Sequence, residues 1–228
     1  MTRVKKKGPP TGGPRVPRAV TEGRKRKVIY AVLEGECTER DYLDHMEKRF
    51  AGDPPTFEIH KLWKRNGLKP KGVADWALEK LGELDDPERE QVWAFFDRDD
   101  HDLVEESYAR AKAAGVKVAY SNPCFELWLL LHFVPGVSGA QDSHGVQQQL
   151  RAAHRVFRNF DKHLDDAQKR ALDGKETDAV SRAKTLITNC PSLVCTAKRG
   201  HGTDCKVLDR VPSTDVWKLL VSLGIVSP

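Results

Sequence analysis

The residues in this chain best suited to chemistry are the acids that close one short apolar run. Gln91-Val92-Trp93-Ala94-Phe95-Phe96 is followed by Asp97, Asp99, Asp100 and Asp102, four carboxylates within six residues. The run is short and rich in Val and aromatics, which predicts a buried strand rather than a helix. Side chains alternate along a strand, so Asp97 and Asp99 point to one side. Two like charges about 6 Å apart repel by roughly 3 kcal/mol at an effective dielectric of about 20. A fold that places them together holds a cation there or keeps a proton on one of them. The same stretch also reads as an acidic turn in which Asp99, Asp100 or Asp102 caps the next helix.

A second acidic stretch lies upstream. Lys27–Leu33 is a continuous apolar run that predicts a strand covered on both faces. It ends in Glu34-Gly35-Glu36-Cys37-Thr38-Glu39. Glu34 therefore has the same address as Asp97, the carboxyl end of a strand, where ligands bind in α/β sheets. Thr38 is the expected N-cap of a helix from about Glu39 to Phe50, and Glu39 would lean toward the same place. A third stretch, Ser121-Asn122-Pro123-Cys124-Phe125-Glu126, opens an apolar helix with Ser121 or Asn122 as cap and Pro123 in its first turn. Glu126 would then be a buried carboxylate, costly unless paired or metal-linked. It belongs either to the site or to the helix N-terminus, whose dipole would satisfy it. His132 reads as a core histidine.

Cations that could meet a phosphate are Lys64 and Arg65, in a glycine-broken loop that runs to Gly72, and Lys198 and Arg199 near the C-terminus. Each group also reads as plain solvated surface. Cys190, Cys195, His201 and Cys205 have ligand types that suit zinc, but the opening spacing is longer than usual for structural sites. No GxxxxGK[ST] phosphate loop and no GxSxG elbow is present.

The elements that must position these groups alternate. Strands are expected at 27–33, 56–63, 91–97 and 116–120, separated by helices at 39–50, 73–84 and 102–114. That order predicts βαβ units and a mainly parallel sheet. Residues 144–190 read as polar helices broken at Asp173-Gly174-Lys175, and Pro212-Ser213-Thr214-Asp215 as the cap of a last amphipathic helix. The expected domains are a basic tail at 1–27, a core at 28–140 and a helical extension at 141–228 packed on it. The net charge is +5, yet residues 1–27 hold ten Lys/Arg against one Glu, leaving 28 basic and 32 acidic groups for the rest. Such a tail cannot bury enough apolar surface to fold; it is expected to hold nucleic acid through its phosphates or simply to be solvated. No run of 18 apolar residues and no leader-like segment is seen, and five cysteines without regular spacing suggest a reducing cytoplasm.

Leu33–Glu39, Phe95–His101 and Ser121–Phe133 together resemble the RloB-like family of defence-associated proteins, with Pro212–Asp215 a weaker fourth block. The resemblance implies a Toprim-like α/β domain, the fold of topoisomerases, primases and OLD-type nucleases. It implies that Glu34, Asp97 and Asp99 hold Mg²⁺ or Mn²⁺, with Asn122 and Glu126 close by. It further implies an ABC-type ATPase partner and a role in abortive infection, with a transfer RNA as an attractive substrate. The short chain supplies neither a topoisomerase's tyrosine domain nor a primase's nucleotide-handling domains. Hydrolysis of nucleic acid, DNA or RNA, is the expected activity; the rival is a non-catalytic nucleic-acid-binding or regulatory subunit. A homo-oligomer is compatible with either.

Overall fold

Strands and helices alternate along the chain as the apolar pattern predicts, and the strands assemble edge to edge in parallel. The computed structural model describes residues 26–98, 103–137, 142–188 and 206–228. The order is β1 (Lys27–Val32), α1 (Thr38–Phe50), β2 (Phe57–Leu62), α2 (Pro70–Gly82), β3 (Glu90–Asp97), α3 (Val104–Ala113) and β4 (Lys117–Asn122). Then follow α4 (Glu126–Leu130), α5 (Ser143–Ala153), α6 (Asp166–Leu172), α7 (Glu176–Thr188), β5 (Ser213–Thr214) and α8 (Trp217–Leu223).

The sheet order is β2-β1-β3-β4-β5. The first four strands are parallel and β5 runs antiparallel to β4. From β1 the chain crosses to β2 on one side; from β3 it crosses to β4 on the other. The reversal lies between β1 and β3. In open α/β sheets that is where the strand ends part and a ligand crevice forms.

Both faces of the sheet are covered, and side-chain alternation divides them. Trp93 and Phe95 pack with Ile29, Ala31, Leu43 and α4 on one face. Val92, Ala94 and Phe96 pack with Val73 and Ala77 of α2 and Ala111 of α3 on the other. The first face continues into Val146, Leu150, Phe157 and Val180, so α5 to α7 share its core. The chain then returns to the sheet: Asp215 N–H donates to Tyr120 O at 2.7 Å, and α8 packs on the same face. Helix α4 is buried all round, from Glu126 to Leu130, as its composition predicts. Truncating its fully buried Trp128 to Ala would cost roughly 3–5 kcal/mol.

Three local expectations are corrected. Thr38 is not a cap: it is the first helical residue of α1, Cys37 precedes it, and its hydroxyl donates to Lys162 O at 2.7 Å. The segment Ser121–Asn122 extends β4 rather than capping a helix, because Ser121 and Asn122 pair with Thr214 and Ser213. Helix α4 accordingly starts at Glu126, past Pro123. Ser213–Thr214 is likewise a strand and not a helix cap, and α8 starts at Trp217. The break at Asp173-Gly174 stands, with Gly174 at φ +77° between α6 and α7. Among the described residues no helix is long and apolar enough to cross a membrane. The basic tail, the capping stretch Asp99–Asp102, Lys198, Arg199 and the Cys190/Cys195/His201/Cys205 group lie outside the described residues.

Candidate active site

At the switch between β1 and β3, two sequence-predicted acids meet. Glu34 follows β1 and Asp97 ends β3, and Asp97 N–H donates to Glu34 Oε2 at 3.0 Å. Neighbouring parallel strands place their carboxyl ends side by side, so the contact follows from the register that pairs Val32 with Ala94. Asp97 also follows the parity of Trp93 and Phe95, which turns it to the face covered by α1 and α4.

Around this contact lies a cavity of about 450 Å³ lined by Glu34, Glu36, Glu39, Asp97, Glu126 and Lys162, among others. Two glycines let its loops close in. Gly35 N–H donates to Glu39 Oε1 at 3.0 Å, and a Cβ on Gly35 would lie 2.3 Å from Glu39 Oε2. The carboxylate thus returns over the turn that precedes its own helix. Gly67, at φ +75°, approaches Glu34 so closely that a Cβ would lie 2.9 Å from Glu34 O. That approach lets Leu68 N–H reach Glu34 O at 2.9 Å and Asn66 N–H reach Glu36 Oε2 at 3.0 Å.

Glu39 and Glu126 are both only 6% exposed and line the same cavity. Burial, with the Glu126 charge adding to it, pushes the Glu39 carboxyl up to about 7; the Gly35 N–H and the Lys162 charge pull the other way. The fold therefore keeps a proton available there near neutral pH. The two described cysteines on the wall are poor nucleophiles. Burial, then Glu126 and Asp97, push the Cys124 thiol up, and burial with Glu36 does the same to Cys37. Both stay protonated rather than as the reactive thiolate.

In kind, the donors fit a hard divalent cation: carboxylate oxygens dominate the polar lining. Among the described residues, however, no three His, Cys, Asp or Glu groups are arranged to enclose a metal ion. Glu34 and Asp97 form two corners of the expected set; Asp99, the third, lies outside the described residues.

The other expected site residues divide. Glu126 lines the cavity. Lys64 and Arg65 are exposed in the turn directly before Asn66, which lines it, and Lys64 stands 5.7 Å over the Trp76 ring. Asn122 does not line the cavity. Strand alternation sets it on the side of Val118 and Tyr120, where it is buried and donates to Leu208 O at 3.4 Å. His132 is a core residue, with Nδ1 at 2.9 Å from Trp128 O and burial pushing its pKa down to about 4.

Three lining residues escape a sequence reading: Ser143 and Gln147 on α5, and Lys162 in the loop before α6. Ser143, Val146, Gln147 and Leu150 form one helical stripe, of which Val146 and Leu150 are buried. Two polar residues inside an inward-facing stripe are a readable signal. Lys162 carries none: it is one charged residue in a polar loop.

Residues 29–223 match the family model described as RloB-like protein. No curated protein and no solved structure matches the chain.

Proposed function

The chain belongs to the RloB-like protein family, and from that premise we propose that it is a metal-dependent nuclease acting in antiphage defence. The observation that carries this reading is the meeting of Glu34 and Asp97 at the β1/β3 switch point, inside a cavity lined by three further carboxylates. With Asp99, these two would hold Mg²⁺ or Mn²⁺. When bound, such a cation lowers the pKa of a water and neutralises charge on a phosphodiester.

The chain's own residues supply the rest. Glu39 gives and takes a proton near neutral pH. Burial, with the Glu126 charge adding to it, keeps that proton there, and Glu126 lines the same space. Lys64 and Arg65, exposed and next in sequence to the lining residue Asn66, would draw the anionic backbone toward an acidic pocket that otherwise repels it. Lys198, Arg199 and the basic tail extend this role outside the described residues. RNA such as transfer RNA is the proposed substrate class, and an ABC-type ATPase the proposed partner, in the cytoplasm.

A second reading is a non-catalytic regulatory or nucleic-acid-binding subunit of such an ATPase complex. Incubating wild type, Glu34→Gln and Asp97→Asn with plasmid, single-stranded DNA and bulk RNA in Mg²⁺ or Mn²⁺ separates the two. Cleavage that falls at least about 100-fold in both variants supports the nuclease. Wild-type binding to nucleic acid without cleavage, even with the ATPase partner present, supports the subunit.

A further inference from the structure

We propose that Lys162 is a phosphate-binding residue of this site, so that the segment following the sheet completes it; the inference rests on the phosphodiester reading above. Five carboxylates line the cavity, and Lys162 is the single Lys or Arg among its described lining residues. An anionic ligand entering there meets repulsion from every other charged group.

The backbone argues that Lys162 is held for its side chain. Its φ is +82°, a left-handed conformation that glycine adopts freely and lysine does not. The conformation is fastened on both sides. Thr38, at the start of α1, donates its hydroxyl to Lys162 O at 2.7 Å. Two residues on, Leu164 N–H donates to Asp41 Oδ2 at 3.1 Å, and Asp165 then opens the capping box of α6 with Gln168. A glycine would satisfy all of these backbone contacts with less strain.

The ammonium is also uncommitted. Among the described residues it forms no ion pair, although its field reaches Glu39 and works against that group's upward shift. A lysine kept only to neutralise Glu39 or Glu126 would sit in contact with one of them. This one shares their cavity without closing on either, which leaves its donors to a ligand. The ligand class is a phosphodiester oxygen of a nucleic-acid backbone. The same charge explains how an acidic pocket on an acidic body accepts such a substrate.

The test uses the full chain with fluorescein-labelled 20-nucleotide single-stranded RNA and single-stranded DNA in Mg²⁺, read by anisotropy over a salt series. Wild type, Lys162→Gly and Lys162→Arg are compared. Lys162→Gly should bind severalfold more weakly, and its slope of log affinity against log salt should fall by about 0.7, one phosphate contact on a single strand. Lys162→Arg should keep the slope. Thermal melting of Lys162→Gly should be unchanged or raised, because glycine suits this backbone; that separates loss of charge from loss of fold. An unchanged slope in Lys162→Gly, with wild type binding the probes, overturns the assignment of Lys162 alone. Wild type that binds neither probe overturns the phosphodiester reading, and this inference with it.

Discussion

Two cavities of nearly equal volume, about 450 and about 460 Å³, lie toward opposite ends of α1, and their charges are arranged in opposite ways. The one at the C-terminal half of α1 is lined by acids and bases together, and several of them are paired. His45 Nε2 lies 2.7 Å from Asp173 Oδ1, Arg49 bridges Asp173 and Glu176, and Asp44 pairs with Lys61 at 2.7 Å. The one at the N-terminal end gathers five acids and one lysine, and Glu36, Glu39 and Glu126 form no ion pair among the described residues. Pairing of this kind fixes α6 and α7 on the core. Glu39 and Glu126, buried and in no ion pair among the described residues, work against folding, and carboxylates of that kind cluster at functional sites. On the proposed function, the same helix has an architectural end and a chemical end.

Substitutions at the two ends should behave oppositely. The largest expected effect is Asp97→Asn at the chemical end: at least about 100-fold loss of cleavage, with urea-melt stability within about 1 kcal/mol of wild type or higher, since repulsion is relieved. A large destabilisation would make Asp97 structural and erase the contrast. Next, Arg49→Ala at the architectural end should cost roughly 3–4 kcal/mol, because Glu176, only 6% exposed, loses its charged partner. Nucleic-acid cleavage below the shifted melting temperature should not change.

Glu39→Gln is expected to stabilise the protein, and to do so only at higher pH. The unfolded carboxyl loses its proton near 4.5 and the folded one near 7. The folded state's advantage from holding that proton is complete below 4.5 and lost as pH rises through 7. Gln, always neutral, should therefore match wild type at pH 4 and exceed it by roughly 3 kcal/mol at pH 8. Equal stability at pH 8 would mean that Glu39 is solvated or paired. The smallest effect should come from Asp44→Asn, whose partner Lys61 keeps Glu47 at 2.7 Å: under about 1 kcal/mol in chemical denaturation.

Legibility in the sequence followed the same division. Strands β1 to β4 and the addresses of Glu34 and Asp97 were readable, because apolar runs ending in acids are local patterns. Asn122 was misplaced for a local reason: Ser121-Asn122-Pro123 reads as a helix start, but pairing with a distant two-residue strand keeps it extended. Once Asn122 is in a strand, alternation sends it to the side of Tyr120, away from Asp97. Glu126 was readable as a buried acid, though not its influence on Glu39, which needs α1 and α4 in contact. Lys162 was not readable at all. Its place depends on Thr38 holding its carbonyl across 124 residues of chain. Pairings of that range, like those of Arg49 with Glu176, leave no periodic trace.

The central claim is that Glu34 and Asp97 mark a divalent-metal site rather than a structural acid cluster. Its most direct test is calorimetric titration of Mn²⁺ into wild type, Glu34→Gln and Asp97→Asn. The expected result is saturable binding by wild type that is lost in both variants while their melting temperatures hold. Wild type that takes up no Mn²⁺ at millimolar concentration, or variants that bind it as wild type does, would contradict it.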